Sequence, residues 1–313
     1  MRSDFFELVT LADGVHAAIG HPGTAACSNA AIVDLGGRTI VVDTFMMPGP
    51  GKALAQAAAD LTDRDASLVF LTHYHQDHWG GGSAFPDAIY AATPECREAM
   101  LEDFDEYREW QKDPSDLREM IASAEAQLAG EVAPEMREVV ETRLRRDRAV
   151  LEEIPSLQFI APATTIDSRL TLHGSRRTAV VRAIGHGHTE SDLWVELPDD
   201  GIVICGDLCF FGTQPFMYDC DPDGWIEWLR EMEASRYEVF VPGHGPVGGV
   251  AELALTRQYI ETLTGLIRAA IDRGDEIEQS LAVKLPEPFA AWQAVEARRF
   301  EVNVRGLYER FAE

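Results

Sequence analysis

Short apolar runs rich in Val, Ile and Ala fill the chain up to Ala92 and again from Ile166 to Val241, whereas the stretches between and after them carry helical spacing. Leu8–Leu11, Val15–Ile19, Ala30–Leu35 and Thr39–Val42 predict strands, with Gly36-Gly37 turning the chain between the last two. Lys52–Leu61 predicts a helix that opens after Pro48-Gly49-Pro50-Gly51. Leu68–Leu71 and Ile89–Ala91 predict two more strands, and Thr93-Pro94 is a good cap and first-turn pair for a following helix. From about Glu95 to Pro155 the chain is dense in Glu, Arg, Ala and Leu without alternation, and it breaks at Asp113-Pro114 and Ala133-Pro134. That pattern predicts an insertion of three helices. Met120, Ala124, Gln127 and Leu128 mark one apolar stripe, and Val139, Val140, Leu144 and Leu151 mark another. These stripes serve to pack the helices on each other or on a second copy of the chain, and the insertion could also act as a lid. Strands resume at Ile166–Leu172 and Thr178–Ile184 around His173-Gly174-Ser175, then at Leu193–Leu197 and Ile202–Cys205 around Pro198–Gly201. A helix over Asp223–Ser235, with Trp225, Trp228, Leu229 and Met232 on its core face, precedes the strand Val239–Val241; from Val250 onward the chain is mostly helical. No repeat or low-complexity linker divides it, so one α/β domain over residues 1–313 is expected, with a helical insertion at 95–155 and a helical tail at 250–313.

The polar stretch after Leu71 carries the chemistry. Thr72-His73-Tyr74-His75-Gln76-Asp77-His78 places three of the chain's nine histidines and a carboxylate in a few positions, directly behind an apolar strand. A rigid loop of imidazoles with a carboxylate suits borderline divalent metals such as zinc. His73 and His75, two apart on an extended segment, point the same way and can grip one ion. Asp77 and His78 follow the turn and can aim at a second. Three further segments end on metal-binding side chains beside glycines: Gly187-His188-Thr189, Gly206-Asp207-Leu208 and Pro242-Gly243-His244-Gly245.

The His73-x-His75-x-Asp77-His78 pattern, followed in order by His188, Asp207 and His244, resembles the metallo-β-lactamase superfamily. The resemblance implies an αββα sandwich. It also implies one metal site from His73, His75 and His188, a second from Asp77, His78 and His244, and Asp207 bridging the two. Three neutral imidazoles leave a zinc an open position, as in catalytic sites. A water shared by two ions about 3.5–4 Å apart ionises near pH 7 and becomes the nucleophile. Asp77 would orient that nucleophile or return a proton to the leaving group. The cofactor expected is therefore two divalent ions, zinc foremost, with iron or manganese as alternatives. An aspartate at 207 is similar to the glyoxalase II, lactonase and RNase Z branches rather than to true β-lactamases, which place cysteine or serine there. The function implied is hydrolysis of a small carbonyl substrate: a thioester, ester or lactone. A β-lactamase-like amidase and a mononuclear-iron persulfide dioxygenase are the alternatives. Phe210 stands where family lactonases carry tyrosine, and Tyr218 could substitute for it. A glyoxalase II role would need cations for glutathione carboxylates, for which Arg257, Arg268, Arg298 and Arg299 are available. His186 is a weaker candidate for the role given to His188, and Asp43 resembles a position that supports a ligand by hydrogen bonding.

Net charge sharpens this. At −26, the chain repels polyanions and has no basic cluster, which weighs against nucleic-acid substrates. No apolar run approaches membrane-spanning length, and the N-terminus lacks a secretory h-region. Five cysteines without a C-x-x-C pair fit a reduced, cytoplasmic protein. Cys209 and Cys220 lie close in sequence to Asp207. A small-molecule substrate and a homodimer through the helical insertion are the expected partners.

Overall fold

The computed structural model describes residues 3–295 and 297–312. Two sheets pack face to face between layers of helices, the αββα arrangement. The first sheet runs in chain order: β1 (Phe6–Ala12), β2 (Val15–Gly20), β3 (Asn29–Asp34), β4 (Thr39–Val42), β5 (Ala66–Phe70), β6 (Ile89–Ala92) and β7 (Thr164–Thr165). Its first four strands pair antiparallel through hairpins, and β4 to β7 pair parallel through helical crossovers. The second sheet has the order β12-β11-β10-β9-β8, built from β8 (Arg169–His173), β9 (Thr178–Gly185), β10 (Asp192–Leu197), β11 (Ile202–Phe210) and β12 (Val239–His244). Only β11 and β12 pair parallel there.

Strand sequences explain the layering. In β3, Ala31 and Val33 point into the sandwich with Ile40, Val42, Val181, Val195 and Ile204, while Ala30 and Ile32 face the helices on the outer side. Strands covered on both faces become continuous apolar runs, which is why β3, β4 and β11 lack polar alternation. Each fully buried Val, Leu or Ile contributes about 1.5–3 kcal/mol relative to exposure. At the end of the sandwich away from β5's loop, buried Arg177 donates to Asp200 Oδ2 at 2.8 Å and to the Asp34 carbonyl at 2.7 Å, clipping the β8–β9 hairpin to the first sheet.

Helix α1 (Pro48–Thr62) crosses between β4 and β5, and a short α2 (Gln76–Trp79) follows β5. The insertion between β6 and β7 contains four helices: α3 (Pro94–Glu102), α4 (Phe104–Lys112), α5 (Ser115–Ala129) and α6 (Pro134–Glu153). The breaks at Asp113-Pro114 and Ala133-Pro134 fall as expected, and Asp103 adds one. Packing also corrects the register of the stripes. Leu117, Ile121 and Ala124 are the buried face of α5, with Gln127 exposed, and Val140, Leu144 and Val150 are that of α6. These faces join the core outside the first sheet, so the insertion is part of the outer helical layer. The first helix likewise starts earlier than expected, at Pro48, because proline fits a first turn and the Glu153 carboxylate accepts the Gly49 N–H. Outside the second sheet lie α7 (Pro222–Glu233), α8 (Val250–Asp272), α9 (Ile277–Ser280), α10 (Phe289–Val295) and α11 (Ala297–Ala312). No helix among the described residues is long and apolar enough to cross a membrane.

Candidate metal centre

All seven expected residues converge at one edge of the sandwich, where the loops after β5 and β9 meet the interior of β11 and the end of β12. His73, His75, His188 and Asp207 form one group able to hold a metal ion, and Asp77, His78 and His244 form another; within each group the nearest donor atoms lie within 4.8 Å of one another. Asp207 touches both groups. Its Oδ2 lies 3.5 Å from His188 Nε2 and 3.4 Å from His244 Nε2, and its Oδ1 lies 3.1 Å from His78 Nε2. Asp77 Oδ2 sits 3.3 Å from His244 Nε2.

A second ring of groups decides which nitrogen of each imidazole faces inward. Asp43 accepts from the Thr72 amide, the Thr72 hydroxyl and His78 Nδ1, each at 2.8 Å. Because the Thr72 hydroxyl proton goes to Asp43, Thr72 Oγ1 can only accept from His73 Nδ1, 3.0 Å away. His188 Nδ1 donates to the Phe216 carbonyl at 3.0 Å, and His75 Nε2 donates to Asp219 Oδ2 at 3.3 Å. With each ring in the neutral form a metal requires, four inward nitrogens are thereby left as lone pairs: Nε2 of His73, His78 and His188, and Nδ1 of His75. The last two stand 3.0 Å apart, an arrangement of two acceptors that needs a shared cation. Buried atoms without a hydrogen-bond partner include His73 Nε2, His78 Nε2 and Asp207 Oδ1, all aimed at this space. Nitrogen and carboxylate donors with outward N–H groups anchored are the chemistry a divalent metal requires, so the residues fit the ions that the sequence implies.

Electrostatics in the metal-free protein agree. Burial, reinforced by the neighbouring histidines, holds His73 well below the ordinary imidazole range, and burial lowers His188 to about 3. In the other group, burial opposes protonation, but the Asp207 and Asp77 carboxylates outweigh it and push His244 up to about 9. Asp207, Asp77 and Asp43 likewise raise His78. Asp207 is driven well below the carboxylate range against its own burial, by His244 and His78. Positive charge is thus favoured at this point, and a proton holds part of the place a cation would take.

Local sequence explains the geometry. Gly243 lets β12 pass against β11, since a Cβ there would overlap Asp207 Oδ1. Phe210 stacks on His244 with ring centres 5.1 Å apart, and Trp225 meets His188 edge-on at 5.4 Å, closing the inner wall to water. Asn29 donates to the Pro242 and Gly245 carbonyls, and the Ser28 hydroxyl to the Asp77 carbonyl, so the β2–β3 loop braces two of the site loops.

Asp43 thus fulfils the supporting role the sequence suggested. Asp219 and the Phe216 carbonyl are equally placed and carried no sequence signal. His186 is exposed, leaving the inward position to His188. Gly80 and Gly81, after Trp79, pack against the backbone of Met46 and Thr44. Cys209 and Cys220 are buried thiols facing the core outside the second sheet. Tyr218 lies one ring out from the site, 6.5 Å from Phe216 and half exposed. Arg257 is engaged by Glu233 and Glu261, and Arg268 by Asp223, so neither is available as a cation for a substrate carboxylate.

Comparison with known proteins agrees with this geometry. The family model described as "Metallo-beta-lactamase superfamily" matches residues 24–244. No curated protein matches the sequence. Among solved structures, a metallo-beta-lactamase from Pontibacter korlensis shares 17% identity over 82% of this chain and 99% of its own, with a TM-score of 0.59. FIM-1 from Pseudomonas aeruginosa, described in a mono-zinc form, shares 18% over 82% and 95%, with a TM-score of 0.55. An Erythrobacter litoralis metallo-beta-lactamase shares 17% over 83% and 98%, with a TM-score of 0.57. Identities this low establish a common fold.

Proposed function

The chain belongs to the metallo-β-lactamase superfamily, and from that premise we propose that it is a two-metal hydrolase of a small carbonyl compound, a thioester, ester or lactone. The observation that carries this proposal is the convergence of four anchored imidazole lone pairs on Asp207, with Asp77 and His244 alongside. His73, His75 and His188 would hold one ion, Asp77, His78 and His244 the other, and Asp207 both. Bound divalent ions supply a water nucleophile that ionises near neutral pH and an electrophile for the carbonyl oxygen.

The protein's own groups do the rest. Asp43, Asp219 and the Phe216 carbonyl keep His78, His75 and His188 in the tautomers that leave an inward lone pair, and Asp43 acts on His73 through Thr72. Asp77 keeps its carboxylate ionised, with Oδ2 beside His244 Nε2 and a side chain one quarter exposed toward solvent. It is placed to orient the attacking water and to pass a proton to the departing group. Phe210 and Trp225 exclude water behind the imidazoles, so that the reaction is confined to the open side. An aspartate at 207, rather than cysteine or serine, supports the ester and thioester side of the family over β-lactam amides.

A chelator-controlled panel of thioester, aryl ester, lactone, β-lactam and phosphodiester tests the proposal. Chelator-sensitive turnover of one carbonyl class is the expected result. Turnover that survives metal removal, or a preference for phosphodiesters, would overturn it.

A further inference from the structure

The chain forms no strand or helix over residues 211–220, yet this loop after β11 carries two of the groups that orient the metal-binding imidazoles. They are the Phe216 carbonyl behind His188 and the Asp219 carboxylate behind His75. Buried backbone groups outside regular structure need partners from elsewhere. Here these come from the helical tail, beyond the residues 24–244 that the family model matches. Arg299 donates to the Gln214 carbonyl, and Asn303, a wholly buried side chain of α11, grips the backbone on either side of Phe216. Asn303 Nδ2 donates to the Pro215 carbonyl and Asn303 Oδ1 accepts the Met217 N–H, each at 2.8 Å. One partner can only accept and the other can only donate, which fixes the way round the amide sits.

The bond to Met217 bears on the chemistry. Met217 N–H and the Phe216 carbonyl are the two ends of one peptide unit, and in a trans peptide they point in opposite directions. With the N–H held by Asn303, the carbonyl faces His188 Nδ1, 3.0 Å away. Hydrogen bonds in a chain polarise one another, so the same contact strengthens the carbonyl as an acceptor. We propose that Asn303 is a positioning residue of the metal centre: acting through the Phe216–Met217 peptide, it holds His188 with Nε2 bare and so sets the affinity of the His73–His75–His188 group for its ion. The proposal rests on the two-metal reading above and extends the working site to the tail. The Asp77–His78–His244 group is braced instead by Asp43, Ser28 and Asn29, so its ion should not depend on Asn303.

Zinc titration of the stripped protein, read by competition with a chromophoric chelator, tests this without turnover. Asn303→Leu removes both hydrogen bonds and keeps the branched shape; one of the two dissociation constants should rise about 10–100-fold while the other stays within about threefold. A merely structural contact would not single out one ion. Val304→Ala, which loosens the same helix in the apolar core, should leave both constants at wild type. Should Asn303→Leu not fold, Gly306→Ala decides. Its methyl would stand 3.0 Å from Tyr218 Cδ2 and 3.1 Å from Tyr218 Cα, displacing the same loop, and one constant should again rise. Unchanged constants in the variant that is read, a rise in both, or an equal rise in Val304→Ala would overturn the proposal and leave the two-metal reading standing. Failure of the wild-type protein to take up two ions overturns both.

Discussion

The loops at the site edge and the helical insertion beside them solve opposite problems. Around the metal space each of four imidazoles is held from behind by a carboxylate, a hydroxyl or a carbonyl, and no ring of the cluster moves without breaking a hydrogen bond. The insertion is held chiefly by apolar faces, with polar ties such as Glu153 to Gly49 and Gln111 to the Ile154 and Leu157 carbonyls: α5 and α6 are buried along one stripe each, while α4 contributes no fully buried residue. The candidate metal-binding side chains thus sit at strand ends tied by hydrogen bonds, beside a helical layer that is packed mainly through apolar contacts.

Substitutions should separate the two regions by size and kind of effect. Asp77→Asn removes the proposed proton carrier, and weakens a proposed donor to the second ion, while keeping shape; turnover should fall by about 10²–10⁴-fold with the fold intact by circular dichroism. A variant with unchanged kcat would remove Asp77 from the mechanism. Asp43→Ala leaves every metal-binding side chain in place but releases His78 and, through Thr72, His73. Metal affinity or activity should drop by about 10–100-fold, checked by competition with a chromophoric chelator. In the insertion, Ile121→Val trims a buried methylene from α5 and should cost about 0.5–1.5 kcal/mol in denaturant unfolding, with kcat close to wild type. A large loss of kcat there would mean the insertion is coupled to the chemistry and the division between the regions fails. Arg148→Ala breaks an exposed pair with Glu125 between α6 and α5 and should change stability by about 1 kcal/mol or less.

The two regions also differed in how far the sequence revealed them. His73, His75, Asp77 and His78 are legible because their spacing is local, and His188, Asp207 and His244 because each follows an apolar run and stands directly after a glycine. Asp219 was not legible: it meets His75 across 144 residues of chain, on a loop with no periodicity. In the insertion, the helices and their proline breaks could be read. Their buried faces could not be read correctly, because several apolar registers fit α5 and contact with α6 selects Leu117, Ile121 and Ala124. The Asp103 break had no proline or glycine to announce it. Pro48-Gly49-Pro50-Gly51 looked like a loop because the carboxylate that completes its first turn, Glu153, comes from the far end of the insertion.

Metal stoichiometry tests the central claim most directly. Protein stripped with chelator and titrated with zinc, read by native mass spectrometry, should take up two ions with thioester turnover rising alongside. His244→Ala should take up one ion fewer, since it loses a donor of the Asp77–His78 group alone. Uptake of a single ion by the wild-type protein, or an unchanged count in His244→Ala, would contradict a centre made of two groups joined by Asp207.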